Sequence, residues 1–356
     1  MTALPTLVSL LERAATRFRC TDIVSRRTDD TTCRYTYGDF HARARALAAS
    51  LQDYGVHPGD RVATLMCHHH VHLETYFGVP AIGGVLHAID AGLPADEVAD
   101  TINAAGDRLL IADDLQVPVL ERILHRLHVE RIIIASSTGQ SPCRWYDSYE
   151  ELLQDGSGDP SYADVTEASP AGLYYTSCAS GGPVEVVYSH GALALHAYSM
   201  SLPDNCSIGR HDTVLSAMST ANTYAWGLPY AALMHGSRIV LPGPNLQPER
   251  VLDLLATHEV TVMGTTPSVW LGVLDTLERD SHRWQSVRGT RVIVADPEAP
   301  ATTFRRLDAF GVRAIQPWAL TGMTPLDGLR EALMAPADEE WQLGREFLDW
   351  RVRAES

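Results

Sequence analysis

Ten short runs rich in β-branched and aliphatic residues alternate with amphipathic segments along this chain, and no other feature narrows its fold so far. They are RVATLM at 61–66, GVLHAID at 84–90, RLLIAD at 108–113, ERIIIAS at 130–136, GLYYTS at 172–177, TVLSAMS at 213–219, SRIVL at 237–241, TVMGTT at 261–266, RVIVAD at 291–296 and VRAIQ at 312–316. Each precedes a turn or a helical pattern. A parallel pair of strands needs a crossover between its members, so this order predicts an α/β fold of parallel sheets covered by helices. Ten strands exceed one compact sheet. The polar stretch QDGSGDPSYADVTEASP at 154–170 makes a boundary between two α/β halves, giving expected units at 1–168 and 169–325. After Pro325 the apolar spacing turns helical with many charges and no strand signal, so 326–356 reads as a helical tail with a solvated face.

The 356 residues, 45% hydrophobic and 20% charged, describe a globular chain with a sizeable core. A formal charge of −16 and the lack of any basic run argue against a nucleic-acid or anionic-membrane surface. The six cysteines, at 20, 33, 67, 143, 178 and 206, form no CxxC pair, so neither a zinc site nor a disulfide framework is indicated and a reducing cytoplasm fits best. The N-terminal MTALPTLVSLLERAATRF reads as an amphipathic helix without a cleavage-site pattern. No apolar run reaches membrane-spanning length, so membrane insertion is not expected.

All 28 cationic side chains are arginine, with no lysine anywhere. This bears on TSCASGGPVEVVYSH at 176–190, which has the form of a phosphate-cradling loop with altered chemistry. Such loops alternate small hydroxyl residues with glycines so that bare backbone can turn its N–H groups onto phosphates, and a lysine usually follows. Here Cys178 interrupts the glycines, Val184 stands where the lysine is expected and Glu185 adds negative charge.

The chain resembles the adenylate-forming acyl-CoA synthetases, particularly the branch acting on medium- and long-chain fatty acids. The likeness runs from YTYGDFHARARALAASL at 35–51 through HHHVHLETYFGVPAIGGVLHAID, INAAGDRLLIAD, YAWGLPYAALMHG, VLPGP and TPSVWLGVL, and covers nearly everything to Pro325. It implies two packed parallel-sheet subdomains, as in the N-terminal domain of those enzymes. Against the family's loop, roughly TSGTTGxPKGV then SH, the residues Thr176, Ser177, Gly181, Pro183, Val186, Ser189 and His190 match, while Cys178, Ala179, Ser180, Val184 and Glu185 depart. A later motif near YGxTE appears as Trp318, Ala319, Leu320, Thr321 and Gly322, so the magnesium-binding glutamate is replaced by glycine. The adenine-side motif near GGSAxP corresponds to Ala295–Pro300 and has lost two glycines, with Asp296 in its place.

The resemblance places the family's barrel subdomain and mobile C-terminal domain, with its catalytic lysine, outside this chain, which reads as a truncated, degenerate homologue. Losing the metal forfeits several kcal/mol of transition-state stabilisation. A Glu185 carboxylate ~4 Å from a phosphate charge would add about 1 kcal/mol of repulsion in water-like surroundings and about 4 kcal/mol at a partly protected site. No cofactor is expected, with ATP or AMP and magnesium kept as a disfavoured alternative. The acyl side is better preserved: Trp226 matches the aromatic residue at the fatty-acid tunnel, followed by Gly227, while Asn222 and Tyr224 replace the residues usually found as His and Asn; on the nucleotide side Asp296, Trp318, able to stack on a ring, and Thr321, able to contact a phosphate, complete the candidate substrate set. Trp226 and Trp270 read equally as core aromatics. His68, His69, His70 and His72 imitate a metal cluster, but no carboxylate or cysteine pattern completes it in sequence. Catalytic candidates are Cys178, His190 and Thr321, Cys178 as a nucleophile or merely a small replacement for glycine.

The expected function is a ligase homologue that has lost ordinary activity and keeps an acyl or aryl pocket or a partner-binding surface. The alternatives are a repurposed enzyme acting on an acyl, aryl or activated acyl substrate, and residual acyl-adenylate formation. A homodimer, or pairing with an intact ligase, is the expected assembly.

Overall fold

The computed structural model describes residues 5–315 except 142, 157–161, 163–164, 178–182, 204, 219–222, 281–282, 285–286 and 295–300. Its strands form two seven-stranded sheets. Sheet I runs in the order β14 (Arg313–Ile315), β13 (Arg291–Val294), β12 (Val262–Thr265), β10 (Thr213–Ala217), β11 (Arg238–Leu241), β1 (Asp22–Arg26) and β2 (Thr32–Thr36). Sheet II runs β7 (Asp147–Ser148), β6 (Arg131–Ala135), β5 (Leu109–Asp113), β3 (Arg61–Leu65), β4 (Val85–Ala88), β8 (Pro170–Ser177) and β9 (Pro183–Ser189). Neighbours are parallel except at one edge of each sheet, where β2 lies antiparallel to β1 and β9 to β8.

All ten strands expected from sequence are present. The expected division at 168 does not follow the sheets, which exchange hairpins across it. Ile23 to Ser25 in β1 pair with Ile239 to Leu241 in β11, while β8 and β9 extend the sheet built by residues 61–148. Backbone pairing decides sheet membership, and pairing between segments so far apart leaves no local trace in either segment. The hairpin strands were missed for a related reason: the edge strand TCRYT is largely polar and exposed, and β9 begins directly behind the glycine-rich loop.

Sheet strands are apolar on both faces because each face meets helices. Along β6, Ile133 faces the central core while Ile132 and Ile134 face an outer one, and β5 alternates in the same way. The central layer holds α1 (Leu7–Arg17), α2 (Tyr37–Asp53), α3 (His70–Ala81), α7 (His190–Met200) and α8 (Thr223–His235). Outside sheet II lie α4 (Ala95–Ala105) and α5 (Val117–Ile123), and α6 (Tyr149–Asp155) packs its Tyr149 and Leu152 inward. Outside sheet I lie α9 (Pro248–Thr257), α10 (Pro267–Arg279) and α11 (Ala301–Ala309), packed over a core that includes Trp270.

Helix α3 is buried on every side, which explains why its sequence shows no amphipathic stripe. Phe77 meets the rings of Phe40 and Tyr230 edge-on, with centroids 5.4 and 5.2 Å apart, joining α2, α3 and α8 at the centre. Helix α2 starts on a capping box in which Thr36 Oγ1 accepts from Asp39 N–H at 3.2 Å and Asp39 Oδ2 accepts from Thr36 N–H at 2.9 Å. No helix among the described residues is long and apolar enough to cross a membrane.

Candidate functional site

The hairpin of β8 and β9 presents the phosphate-type loop. Its register sets Thr176 opposite Val184 and Ser177 opposite Pro183, so only 178–182 joins the strands. Cys178, Ala179, Ser180 and Gly181 lie outside the described residues. Glu185 stands opposite Tyr175, on the face shared with the exposed Val187 and opposite to Val186, which packs on the central core.

The carboxylate of Glu185 is already engaged. Both terminal nitrogens of Arg61, in β3, donate to it at 2.8 and 3.1 Å, and the Tyr175 hydroxyl donates at 3.3 Å. Arg61 also donates to the Ala105 carbonyl at 2.6 Å. Behind this pair, buried His87 and Asp107 are joined at 2.7 Å, and burial raises the Asp107 carboxyl. The Glu185 carboxylate, which the sequence alone leaves as a lone added charge, is paired here with a two-pronged arginine. Arg61 is the neighbour of the loop that the sequence does not reveal, because 124 positions separate it from Glu185.

His190 opens α7, fully buried, with its Nδ1 accepting from the Leu7 N–H at 3.2 Å and its own N–H donating to the Ser169 carbonyl at 3.0 Å. Burial pulls its pKa down to about 4, so the ring is neutral near pH 7. In this placement His190 ties α1 to α7.

On the acyl side, Tyr224 and Trp226 occupy the first turn of α8, while Asn222 lies outside the described residues. Gly227 is buried where α8 crosses α7, and a Cβ there would overlap His196 Nε2 and Met200 Sδ. Gly227→Ala is expected to cost about 1–3 kcal/mol by overpacking this crossing, read as a lowered urea midpoint. An unchanged midpoint would show that the helices separate freely. Asp296, Trp318 and Thr321 lie outside the described residues. The parallel strands β10, β13 and β14 end at Ala217, Val294 and Ile315 along one carboxyl edge of sheet I. Ligands of open α/β sheets gather at such carboxyl edges.

The histidine run divides among structural tasks. His69 caps α3, its Nδ1 accepting from the Val71 N–H at 3.2 Å, while its Nε2 pairs with Asp113, whose other oxygen accepts from the Cys67 N–H at 2.6 Å. The fold thus supplies the carboxylate and cysteine that local sequence lacked, and ligand atoms of Cys67, His69 and Asp113 come within 4.8 Å of one another. A metal on Nε2 calls for a ring whose other nitrogen donates, whereas His69 Nδ1 is an acceptor here. The chemistry present is a helix cap at Nδ1 and a buried hydrogen bond from Nε2 to the Asp113 carboxylate.

An AMP-binding enzyme profile matches residues 11–344. The chain is 37% identical over 321 residues to a long-chain-fatty-acid–CoA ligase of Thermus thermophilus, covering 90% of this chain and 58% of that protein. It is 32% identical to a medium-chain-fatty-acid–CoA ligase of Ectopseudomonas oleovorans, covering 89% of this chain and 59% of that one. It therefore spans a little under 60% of the length of these relatives. Among solved structures, an anthranilate CoA ligase in complex with anthranoyl-AMP superposes with a TM-score of 0.77 at 20% identity, over 88% of this chain and 60% of its own. The superposition and the sequence match agree, and this chain belongs to the AMP-binding enzyme family, among homologues that are acyl-CoA ligases.

Proposed function

We propose that these residues form an adenylation-type domain that holds an acyl or aryl ligand without supporting ordinary ATP-driven ligation. The observation that supports this most is the charge of the loop. From Thr176 to Val184 the sequence contains no cation, and the one carboxylate beside it is held by Arg61. Because Glu185 is paired with Arg61, the missing cation weighs more in this reading than the added anion. A positioned cation at a transferring phosphoryl group is worth roughly 10³–10⁵ in rate, so its loss alone suppresses turnover severely. Gly322, where the family has a metal-binding glutamate, points the same way. The acyl side, with Trp226 on α8 and the tight crossing at Gly227, keeps the family's framework.

Pyrophosphate release from ATP and magnesium is expected to stay at background with octanoate, palmitate and benzoate. A dodecanoyl sulfamoyl-adenosine analogue is expected to bind in isothermal titration while ATP does not. Magnesium-dependent pyrophosphate release with any of these acids overturns the loss of ligation. Failure of the analogue to bind overturns the retained pocket.

A further inference from the structure

Beneath α8, the carboxyl end of sheet I has a notch in an otherwise apolar floor. Ser216 on β10, Gly264 on β12 and Ile293 on β13 stand in register, so the three positions share one face of the sheet. That face is the central one, where Ile293 packs in the same core as Val214, Val262 and Leu228. Gly264 puts no side chain into the row. The space is taken by the fully buried Leu228 of α8, whose Cδ1 would overlap a Cβ on Gly264, with Met218 Sδ 3.0 Å from the same position.

Beside the notch, Ser216 is 1% exposed and its hydroxyl has no hydrogen-bond partner among the described residues. A buried hydroxyl left unpaired weakens a fold, so this donor and acceptor serves no end in packing alone. Its position supplies the second half of the argument. Ser216 and Gly264 are the next-to-last residues of β10 and β12, one strand step of about 3.3 Å from the carboxyl edge where open α/β sheets take ligands. Leu228 follows directly on Trp226 and Gly227 in α8, the residues that carry the acyl side of the candidate site.

We propose that this notch is the deep end of the acyl or aryl subsite, and that it selects a group bearing a hydroxyl. The ligand takes the place of the Leu228 side chain over Gly264, and its hydroxyl pairs with Ser216. Such a pairing discriminates strongly, because an analogue without the hydroxyl leaves the serine unpaired in a closed site. The inference rests on the retained pocket proposed above and adds to it the chemistry of the group held.

The test is isothermal titration of the chain with benzoyl sulfamoyl-adenosine and its ortho-, meta- and para-hydroxy analogues, alongside the dodecanoyl analogue. The rigid ring offers the hydroxyl at three fixed positions. At least one hydroxybenzoyl analogue is expected to bind roughly ten- to hundredfold tighter than the benzoyl parent compound. Ser216→Ala is expected to shrink that preference to less than about twofold without lowering the ligand-free melting temperature, since it deletes an unpaired group. Leu228→Ala is expected to strengthen binding of the aryl analogues by about two- to tenfold, because the ring no longer has to displace a side chain. A hydroxyl preference that persists in Ser216→Ala, or its absence from the chain while the dodecanoyl analogue binds, overturns this inference and leaves the pocket standing. Failure of every analogue, the dodecanoyl one included, overturns the pocket and the inference together.

Discussion

Arg43→Met is expected to lower the unfolding free energy by about 3–5 kcal/mol. Arg43, on α2, donates from Nε to Glu74 Oε1 at 2.6 Å and from both terminal nitrogens to Glu150 at 2.7 and 2.9 Å. It therefore ties α2 to α3 and α6 at once. Glu74 is fully buried, and its second oxygen accepts from the Tyr149 hydroxyl at 2.8 Å. Burial raises the Glu74 pKa while the adjacent guanidinium holds it back. Without Arg43 the carboxylate keeps one neutral donor and must either stay charged in an apolar layer or take up a proton. Both routes cost stability. The urea midpoint should fall sharply, and adding Glu74→Gln to the variant should recover part of the loss, because the second change removes the stranded charge. A loss under about 1 kcal/mol would mean that the fork contributes no more than a surface pair.

The apolar runs made the layered α/β architecture legible, since a strand buried on both faces must be apolar throughout and a crossover must return between strands. RIIIA in β6 is the clearest case: its alternate residues enter two different cores, so no polar alternation is left. Sheet membership was not legible. The pairing of β1 with β11 is decided by tertiary packing, and neither DIVSR nor RIVL names its partner. The site divides in the same way. The loop's altered residues were visible as departures from a family pattern, because glycine, lysine and glutamate carry their roles in their own chemistry. The fate of Glu185 was not, because it depends on Arg61, two strands away from β8 across sheet II. Gly227 shows a third case: a residue marked by its motif also sits in tight packing, where an added Cβ would have to displace the His196 and Met200 side chains between α7 and α8. The histidine run shows how neighbours in sequence divide among separate tasks: α3 assigns His69 to a cap and to Asp113 and His70 to Ser25.

Asp113→Asn is expected to destabilise the fold by about 3–5 kcal/mol at mildly acidic pH and by less at alkaline pH, because it removes the counter-charge that His69 needs once its ring takes up a second proton and gives up the bond from Val71 N–H. Burial alone would push the His69 pKa down, but the Asp113 charge and hydrogen bond outweigh it and leave it raised above 6.5. Asp113 is likewise opposed by burial, yet His69 and the Cys67 N–H hold it below 3.8. The raised histidine contributes stability that is fully present below pH 6.5 and fades as pH rises through its folded value. The lowered aspartate contributes stability that is fully present above pH 3.8 and fades as pH falls through its own folded value. The pair is therefore strongest between those limits. In Asp113→Asn the counter-charge is gone and burial governs His69, whose folded pKa should drop below the unfolded one. The variant must then lose stability as pH falls through 6.5, where the parent does not. Urea unfolding of both proteins at a mildly acidic and a mildly alkaline pH measures this directly. A gap between them that widens toward acid supports a buried ion pair, whereas a gap independent of pH would reduce the contact to a neutral hydrogen bond and the cap on α3.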